Sequence, residues 1–203
     1  MRLKALLVLF HVLTGSLLIA QSDSLYPIKV HFLYGSKPKW KYRSTEYKAF
    51  GGLHGGHVTI EVDGVDYGFV PTTSRVHIFP HKPFASDFVD NPLNGRYPYS
   101  SANKTVTFVI PVNQKQYDEL NRLLQNYSAK APFDYAFFGM RCASTTAEIL
   151  AEIGVLKKRK RFTNIAGTFY PKKLRKRLFK LARRNNYEIL TNEGKPTRRW
   201  ERD

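Results

Sequence analysis

The order of apolar and polar positions predicts a chain that forms strands first and helices later. The clearest signal is "HVTIEVDGVDYGFV", residues 57–70, where apolar and polar positions alternate on both sides of Asp63-Gly64, a dipeptide favoured in two-residue turns. The segment therefore predicts a β-hairpin. One apolar face is expected from facing pairs, namely Val62 with Val65, Ile60 with Tyr67, and Val58 with Phe69. The other face is expected to carry His57, Thr59 and Glu61.

Further strands are predicted before and after this hairpin. Apolar or β-branched runs at residues 26–35 and 104–112 are typical of strands. Weaker patterns predict a third strand at residues 75–80, directly after the hairpin, and a short final strand at residues 187–190. Residues 81–103 are rich in Pro, Asn, Ser and Gly, and we expect a long loop there.

Three helices follow in the second half of the chain. Asn113 and Gln116 form a capping-box pattern that begins a helix running to about Tyr127. The next helix begins near Cys142, carries a stripe of small and apolar residues, and ends at Gly154. A last amphipathic helix, at about residues 171–186, has proline in its first turn. Strands followed by helices predict an α+β domain.

The first segment has the pattern of a secretory signal peptide. Arg2 and Lys4 precede a mostly apolar run, residues 5–20, and the small residues Ala20 and Ser22 suit cleavage after Ser22, with a cut after Ala20 left open. The run is short and interrupted for a bilayer span. We therefore expect an exported protein of the periplasm, cell envelope or extracellular space. Its organisation is predicted as a signal peptide at 1–22, one domain at 23–190 and a frayed tail at 191–203.

The charge is strongly uneven. The chain carries a net charge of +17, and residues 157–203 contain seventeen Lys and Arg against four Asp and Glu. Such a region favours anionic surfaces, for example phospholipid headgroups or wall polymers, although a solvated face would have the same composition. Export and the lack of a nucleic-acid-binding motif argue against nucleic acid. We expect a monomer without a nucleic-acid partner.

Cys142 is the only cysteine of the chain. Without a partner in the chain it is a reactive thiol, half of an intermolecular disulfide, or a buried inert residue. A helix N-terminus and the neighbouring Arg141 would lower its pKa and favour the nucleophilic thiolate. A histidine base is available in "GGLHGGHVTIEV": His57 opens a rigid strand, while His54 lies among glycines and is expected to gate or contact substrate.

A metal site is the competing chemistry. The motifs "HGGH" and "HIFPH" contain four histidines at zinc-like spacings, namely His54, His57, His77 and His81. Bare histidine pairs are weak signals, no short acidic motif accompanies them, and a hairpin separates the two pairs. We therefore expect neither a metal nor another cofactor.

These motifs resemble a known family. "GHVTIEVDGVDYGF", followed by a strand, a helix and "FFGMRCASTTAEIL", resembles the circularly permuted members of the NlpC-type papain-like superfamily. In those members the histidine strand comes first and the cysteine helix comes late. The pattern is similar also to lecithin:retinol acyltransferase-like proteins and to periplasmic lipoprotein N-acyltransferases of Bacteroidota. The resemblance covers roughly residues 26–156 and implies a papain-like antiparallel sheet packed against a late, Cys-bearing helix.

The resemblance also implies a catalytic pair, with Cys142 as nucleophile and His57 as base. Relatives use a third polar residue to orient the histidine, for which His77 on the next strand is our first choice and Glu61 a weaker one. Many relatives have Asn where this chain has Arg141. Around the thiol, the backbone N–H of Ala143 would bind the oxyanion. Three further residues are expected to contact substrate, namely His54, Arg141 and Tyr67.

The sequence therefore predicts an exported thiol hydrolase that cleaves amide bonds of cell-wall peptides through an acyl-enzyme at Cys142. A cysteine acyltransferase or lipase-like enzyme acting on acyl lipids is the alternative, with the basic last helix docking on the membrane. A catalytically inactive envelope-binding module is the second alternative.

Overall fold

The computed structural model describes residues 25–46, 56–73, 76–90 and 100–203. The predicted signal peptide and His54 lie outside these ranges. The strands are β1 (Tyr26–Tyr34), β2 (Ser36–Pro38), β3 (Gly56–Val62), β4 (Val65–Pro71), β5 (Ser86–Asp90), β6 (Lys104–Val112), β7 (Glu188–Glu193) and β8 (Arg198–Trp200). The helices are α1 (Gln114–Ala129), α2 (Cys142–Glu152), α3 (Arg161–Gly167) and α4 (Pro171–Asn185), with a short 3₁₀ turn at Trp40–Tyr42.

Six strands form one antiparallel sheet in the order β5-β4-β3-β1-β6-β7, and β2 pairs with β8 in a separate two-stranded sheet. β1 lies inside the sheet, where it pairs with β3 on one side and with β6 on the other. The predicted α+β class and the strands at residues 26–35 and 104–112 are confirmed.

The β3–β4 hairpin has the predicted turn. Asp63 and Gly64 both have positive φ, 51° and 79°, as a tight two-residue hairpin turn requires. Val62 pairs with Val65 and Ile60 with Tyr67, as predicted. The pairing of the two strands stops there, whereas β4 continues alongside β5 as far as Pro71. Residues 56–59 of β3 therefore pair with β1 alone, and the predicted pair of Val58 with Phe69 does not form.

One face of the sheet is apolar and carries the helices. Facing residues such as Phe32, Val58 and Phe108 are completely buried there. α2 packs on β3 and β4, while α4 packs on β1, β3 and β6 and contributes Phe179, whose ring meets Phe108 edge-on at 5.0 Å. This face holds the main core of the described residues.

The Cys-bearing helix begins and ends as predicted. Cys142 is its first residue, and Gly154, with φ of 77°, follows its last turn. The Ser144 hydroxyl accepts a hydrogen bond from the backbone N–H of Arg141 at 2.7 Å and so satisfies one donor at the helix start. The small buried side chains of Ala143 and Ala147 let the helix approach the sheet closely.

Two predictions between the hairpin and β6 are wrong. Residues 76–80 form no strand, and His77 makes only an isolated bridge with Ala136. The segment predicted as a long loop contains β5. β5 is short and lies at the sheet edge, and Phe88 is its one fully buried residue, so its sequence lacks a strong alternation.

The predicted frayed tail is also wrong. β7 continues to Glu193, and β8 pairs with β2. The last residues are held by Arg175 of α4, whose completely buried side chain bonds Glu201 at 3.1 Å and Asp203 at 2.6 Å. The charged composition of the tail predicted a solvated segment. The sequence does not show that a buried guanidinium, that of Arg175, pairs with the carboxylates of Glu201 and Asp203. The short helix α3, which follows a basic run, was not predicted.

Within the described residues, none of the helices is both long and apolar enough to cross a membrane.

Candidate functional site

The thiol of Cys142 is enclosed where α2 meets the sheet. The residue is 4% exposed, and its sulfur lies beside the backbone N–H of Val58 and the hydroxyl of Tyr135. The β3–β4 pairing runs from the turn only as far as Ile60 and Tyr67. The N–H of Val58, which lies on the β4 side of β3 beyond this last pair, therefore makes no hydrogen bond to β4. The sulfur therefore lies at the opening between the two strands.

Burial dominates the electrostatics of this thiol. It raises the pKa of Cys142, while the Tyr135 hydroxyl, the Val58 N–H, Arg141 and the Ala143 N–H act in the opposite direction. The sequence predicted a lowered pKa from the helix start and Arg141. That prediction is wrong in its net direction, because enclosure in the core destabilises the thiolate more than these groups stabilise it.

His57 is the second residue of β3 and directly precedes Val58, whose N–H meets the sulfur. Its side chain is 8% exposed, and its Nε2 is buried without a hydrogen-bond partner. Burial lowers the pKa of His57 to about 4, so the ring is neutral at pH 7. No hydrogen bond joins this nitrogen to the sulfur. His57 is thus next in sequence to the residue whose N–H meets the sulfur, and its side chain belongs to the opposite, polar face of β3 together with Thr59 and Glu61.

His77 does not lie on a strand next to His57, which corrects that part of the prediction. Its Nδ1 bonds the buried carboxylate of Asp134 at 2.7 Å, and its ring lies against that of His81 in a tilted arrangement, with the centroids 3.6 Å apart. Asp134 also accepts backbone N–H bonds from His81 and Ala85. These bonds tie the loop of His77 to the segment that leads into α2.

The same three side chains form a candidate metal cluster. The ligand atoms of His77, His81 and Asp134 lie within 4.8 Å of one another, and two imidazoles with a carboxylate are a donor set that zinc accepts. The carboxylate is already engaged by three donors that hold the loop. The "HIFPH" motif identified two members of this cluster, and Asp134 was missed.

Glu61 belongs to a different network. Its carboxylate accepts bonds from Lys29 at 2.6 Å and from Nε2 of His31 at 2.9 Å, and Nδ1 of His31 meets the Thr107 hydroxyl at 2.7 Å. Burial is the main reason why the pKa of His31 is lowered. These contacts of Glu61 do not include His57, for which Glu61 was the weaker orienting candidate.

Asp66 lies across from Glu61 on the same face of the sheet. It is 3% exposed, and neither of its carboxyl oxygens has a partner at full hydrogen-bond geometry. Burial, with the charge of Glu61, raises the pKa of Asp66 to about 7, although the nearby Thr59 hydroxyl acts in the opposite direction.

The remaining predicted substrate residues lie around the start of α2 and in the hairpin. Ala143 is buried as the second residue of α2, so its N–H belongs to the first turn of the helix. Tyr67 pairs with Ile60 and stacks on Phe88, which makes it part of the packing beside the opening. The guanidinium of Arg141 lies over the ring of Phe169 at 3.9 Å and near those of Phe137 and Tyr170.

Sequence patterns did not identify Tyr135. Burial and the neighbouring sulfur raise its pKa far above the ordinary value, so its hydroxyl keeps its proton and can donate toward the thiol. Tyr135 lies in "DYAFF", seven residues before Cys142, and this spacing matches no motif that we recognise. Only the folded connector brings it to the thiol.

We compared the chain with family models, curated proteins and solved structures, and no family model, curated protein or solved structure matches it.

Proposed function

We propose that this chain is a papain-like cysteine enzyme that forms a thioester at Cys142. The observation that supports this best is the thiol at the first residue of α2, with the N–H of Val58 and the hydroxyl of Tyr135 directed to it and His57 next along β3. A helix start also supplies backbone N–H groups for an oxyanion. A buried inert cysteine would need none of these polar neighbours.

The proposed reaction starts from neutral groups. His57 removes the thiol proton as the sulfur attacks the carbonyl carbon, and the N–H of Ala143 helps to bind the oxyanion. His57 then gives the proton to the leaving amine or alcohol, and the C–N or C–O bond breaks. Water attacks the thioester after losing a proton to His57, which restores the thiol and releases the acid.

The first substrate we propose is an amide of cell-wall peptides, and the protein is then an exported thiol hydrolase. An acyl lipid is the second candidate, with an amine or alcohol as acceptor in place of water. It is favoured by the aromatic rings around Arg141, since an acyl chain can lie against such rings.

Intact-mass spectrometry on a panel of wall peptides and acyl lipids tests the nucleophile. We expect a covalent acyl adduct on the wild type that hydroxylamine removes, no adduct on Cys142→Ala, and a large loss of turnover in His57→Gln. His81→Gln is the matched control, since His81 is exposed and its ring contacts that of His77. Turnover that survives Cys142→Ala would refute both substrate versions.

The pH dependence tests the neutral pair. Since burial lowers the pKa of His57 to about 4, the base stays unprotonated through mildly acidic conditions. We expect kcat/KM to hold as the pH falls through the ordinary histidine range and to decline only near pH 4. A decline centred at the ordinary histidine pKa would show that His57 is solvated or is not the base.

A further inference from the structure

A cluster of large apolar side chains stands exposed beside the start of α2. We call it the aromatic cluster, and it consists of Ile78, Phe79, Phe137, Phe138, Phe169 and Tyr170. Ile78 and Phe79 are 63% and 65% exposed, and Phe138 is 53% exposed. Single exposed apolar residues are ordinary, but a contiguous group of this kind marks a surface that binds something.

The cluster is continuous through ring contacts. Phe138 stacks on Phe79 at 5.4 Å and meets Phe137 edge-on at 4.9 Å, and Phe137 meets Phe169 at 5.3 Å. Phe169 in turn contacts Tyr170 at 4.8 Å. Residues from three separate segments thus form one apolar surface.

The backbone holds this surface in place. The N–H of Phe137 bonds the carbonyl of His77 at 2.7 Å, and the N–H of Phe138 bonds the carbonyl of Ile78 at 2.8 Å. Asp134 holds the same loop on both sides of Ile78 and Phe79, through Nδ1 of His77 and the N–H of His81. The rings are therefore presented by a bonded scaffold, which lowers the entropy lost when they are buried by a partner.

Positive charge lies beside the aromatic cluster. Arg141 lies over its rings, and Lys172 and Lys173 follow Tyr170 in the first turn of α4. Apolar rings flanked by cations match the membrane interface, where rings enter the headgroup region and cations meet anionic lipids.

We propose that the aromatic cluster, with Arg141 and the basic residues beside it, docks the protein on a membrane that contains anionic phospholipid. The docking brings the lipid to the side of the molecule where α2 begins. It does not depend on the chemistry of Cys142, so the docking and the proposed enzyme function can fail independently.

Co-sedimentation with vesicles of phosphatidylcholine, with and without phosphatidylglycerol, tests the proposal. The wild type is expected to bind the anionic vesicles more strongly than the neutral ones, and less strongly as salt rises. The double variant Phe79→Ala/Phe138→Ala is expected to bind them about tenfold or more weakly, because two rings no longer enter the interface. The matched control is Phe162→Ala, which removes a ring that is 83% exposed but outside the cluster.

The variant Phe138→Trp locates the contact. Relative to the wild type, whose Trp40 and Trp200 also emit, the added fluorescence is expected to shift to the blue on anionic vesicles and to be quenched by lipids brominated on their acyl chains. Cys142→Ala is expected to bind as the wild type does.

Equal binding by the double variant and the wild type would overturn the proposal, as would the absence of vesicle binding by the wild type. A wild-type dimer that the double variant converts to a monomer, without any vesicle binding, would assign the cluster to self-association and would also overturn it.

Discussion

The two faces of the six-stranded sheet differ in how well their buried groups are satisfied. On the helix-bearing face, Phe32 and Val58 lie in a continuous apolar core. The side chains that alternate with these residues point to the opposite face, which is polar and also buried. On it Thr59 is completely buried and Asp66 is 3% exposed. The thiol lies at the opening between β3 and β4, beside the N–H of Val58, the residue that follows His57.

The comparison shows that burial alone does not indicate stabilisation. Apolar groups gain free energy when they leave water, and the helices supply their partners. Thr59 and Asp66 also leave water; the Thr59 hydroxyl lowers the pKa of Asp66, but burial raises that pKa by more, so ionising this carboxyl group costs free energy. We infer that the helix-bearing face stabilises the fold, whereas the polar face costs stability at these groups.

The largest expected effect is on the helix-bearing face. Phe32→Ala should lower the free energy of unfolding by about 3–5 kcal/mol, because it removes a completely buried ring and leaves a cavity. Urea unfolding followed by circular dichroism measures this loss. A loss as small as that of an exposed residue such as Phe162 would contradict the assignment of this face as the main core.

The next effect has the opposite sign. In the unfolded chain Asp66 ionises at the ordinary carboxyl pKa, whereas the folded protein keeps its proton up to about pH 7. The folded state therefore loses stability as the pH rises between these values, and the loss is complete above pH 7. Asp66→Asn should remove that cost, and we expect a gain of roughly 2–4 kcal/mol in mildly alkaline solution.

The control for this variant is the pH itself. Below the ordinary carboxyl pKa both states carry a protonated Asp66, so the wild type and Asp66→Asn should unfold alike. A gain that is the same in acid and in alkali would mean that ionisation of Asp66 is not its cause. Thermal unfolding at several pH values distinguishes the two outcomes.

The smallest effect is expected from two adjacent residues. Thr59→Val replaces a buried hydroxyl that lies near Asp66 but lacks full hydrogen-bond geometry with a methyl group, and it should change stability by less than about 1 kcal/mol, or raise it. Val58→Thr makes the reverse change on the apolar face and should cost about 1–3 kcal/mol. Paired urea titrations measure the difference between them. Equal losses in both variants would indicate that Thr59 has a partner in solution.

Local patterns predicted much of this fold. The Asp63-Gly64 turn, the capping box of Asn113 and the helix that begins at Cys142 all depend on short stretches of sequence, and each is confirmed. β5 and β8 were missed because short edge strands depend on partners distant in sequence. The tail was misjudged for the same reason, since its order depends on Arg175.

The candidate site was predicted only in part. The position of Cys142 at a helix start followed from the sequence, but its pKa did not, because burial is a property of the whole fold. His77 was assigned to a strand that does not form, and its partner Asp134 comes from a connector without a recognisable motif. The folded connector brings Tyr135 to the thiol, and the N–H of Val58 is freed where the β3–β4 pairing ends. No residue pattern indicates either feature.

The ion pairs of Arg175 affect the order in which the parts of the protein can fold during synthesis. This guanidinium lies against the Tyr34 ring at 3.7 Å inside the core, and its carboxylate partners are Glu201 and Asp203. During synthesis β1 emerges early, yet the charge placed against it stays uncompensated until these carboxylates arrive. Leaving such a charge alone costs about 3–5 kcal/mol, so a chain shortened to residue 200 should be cleaved readily by proteases that spare the full chain. We therefore expect α4 to dock stably only once Glu201 and Asp203 have been added to the chain.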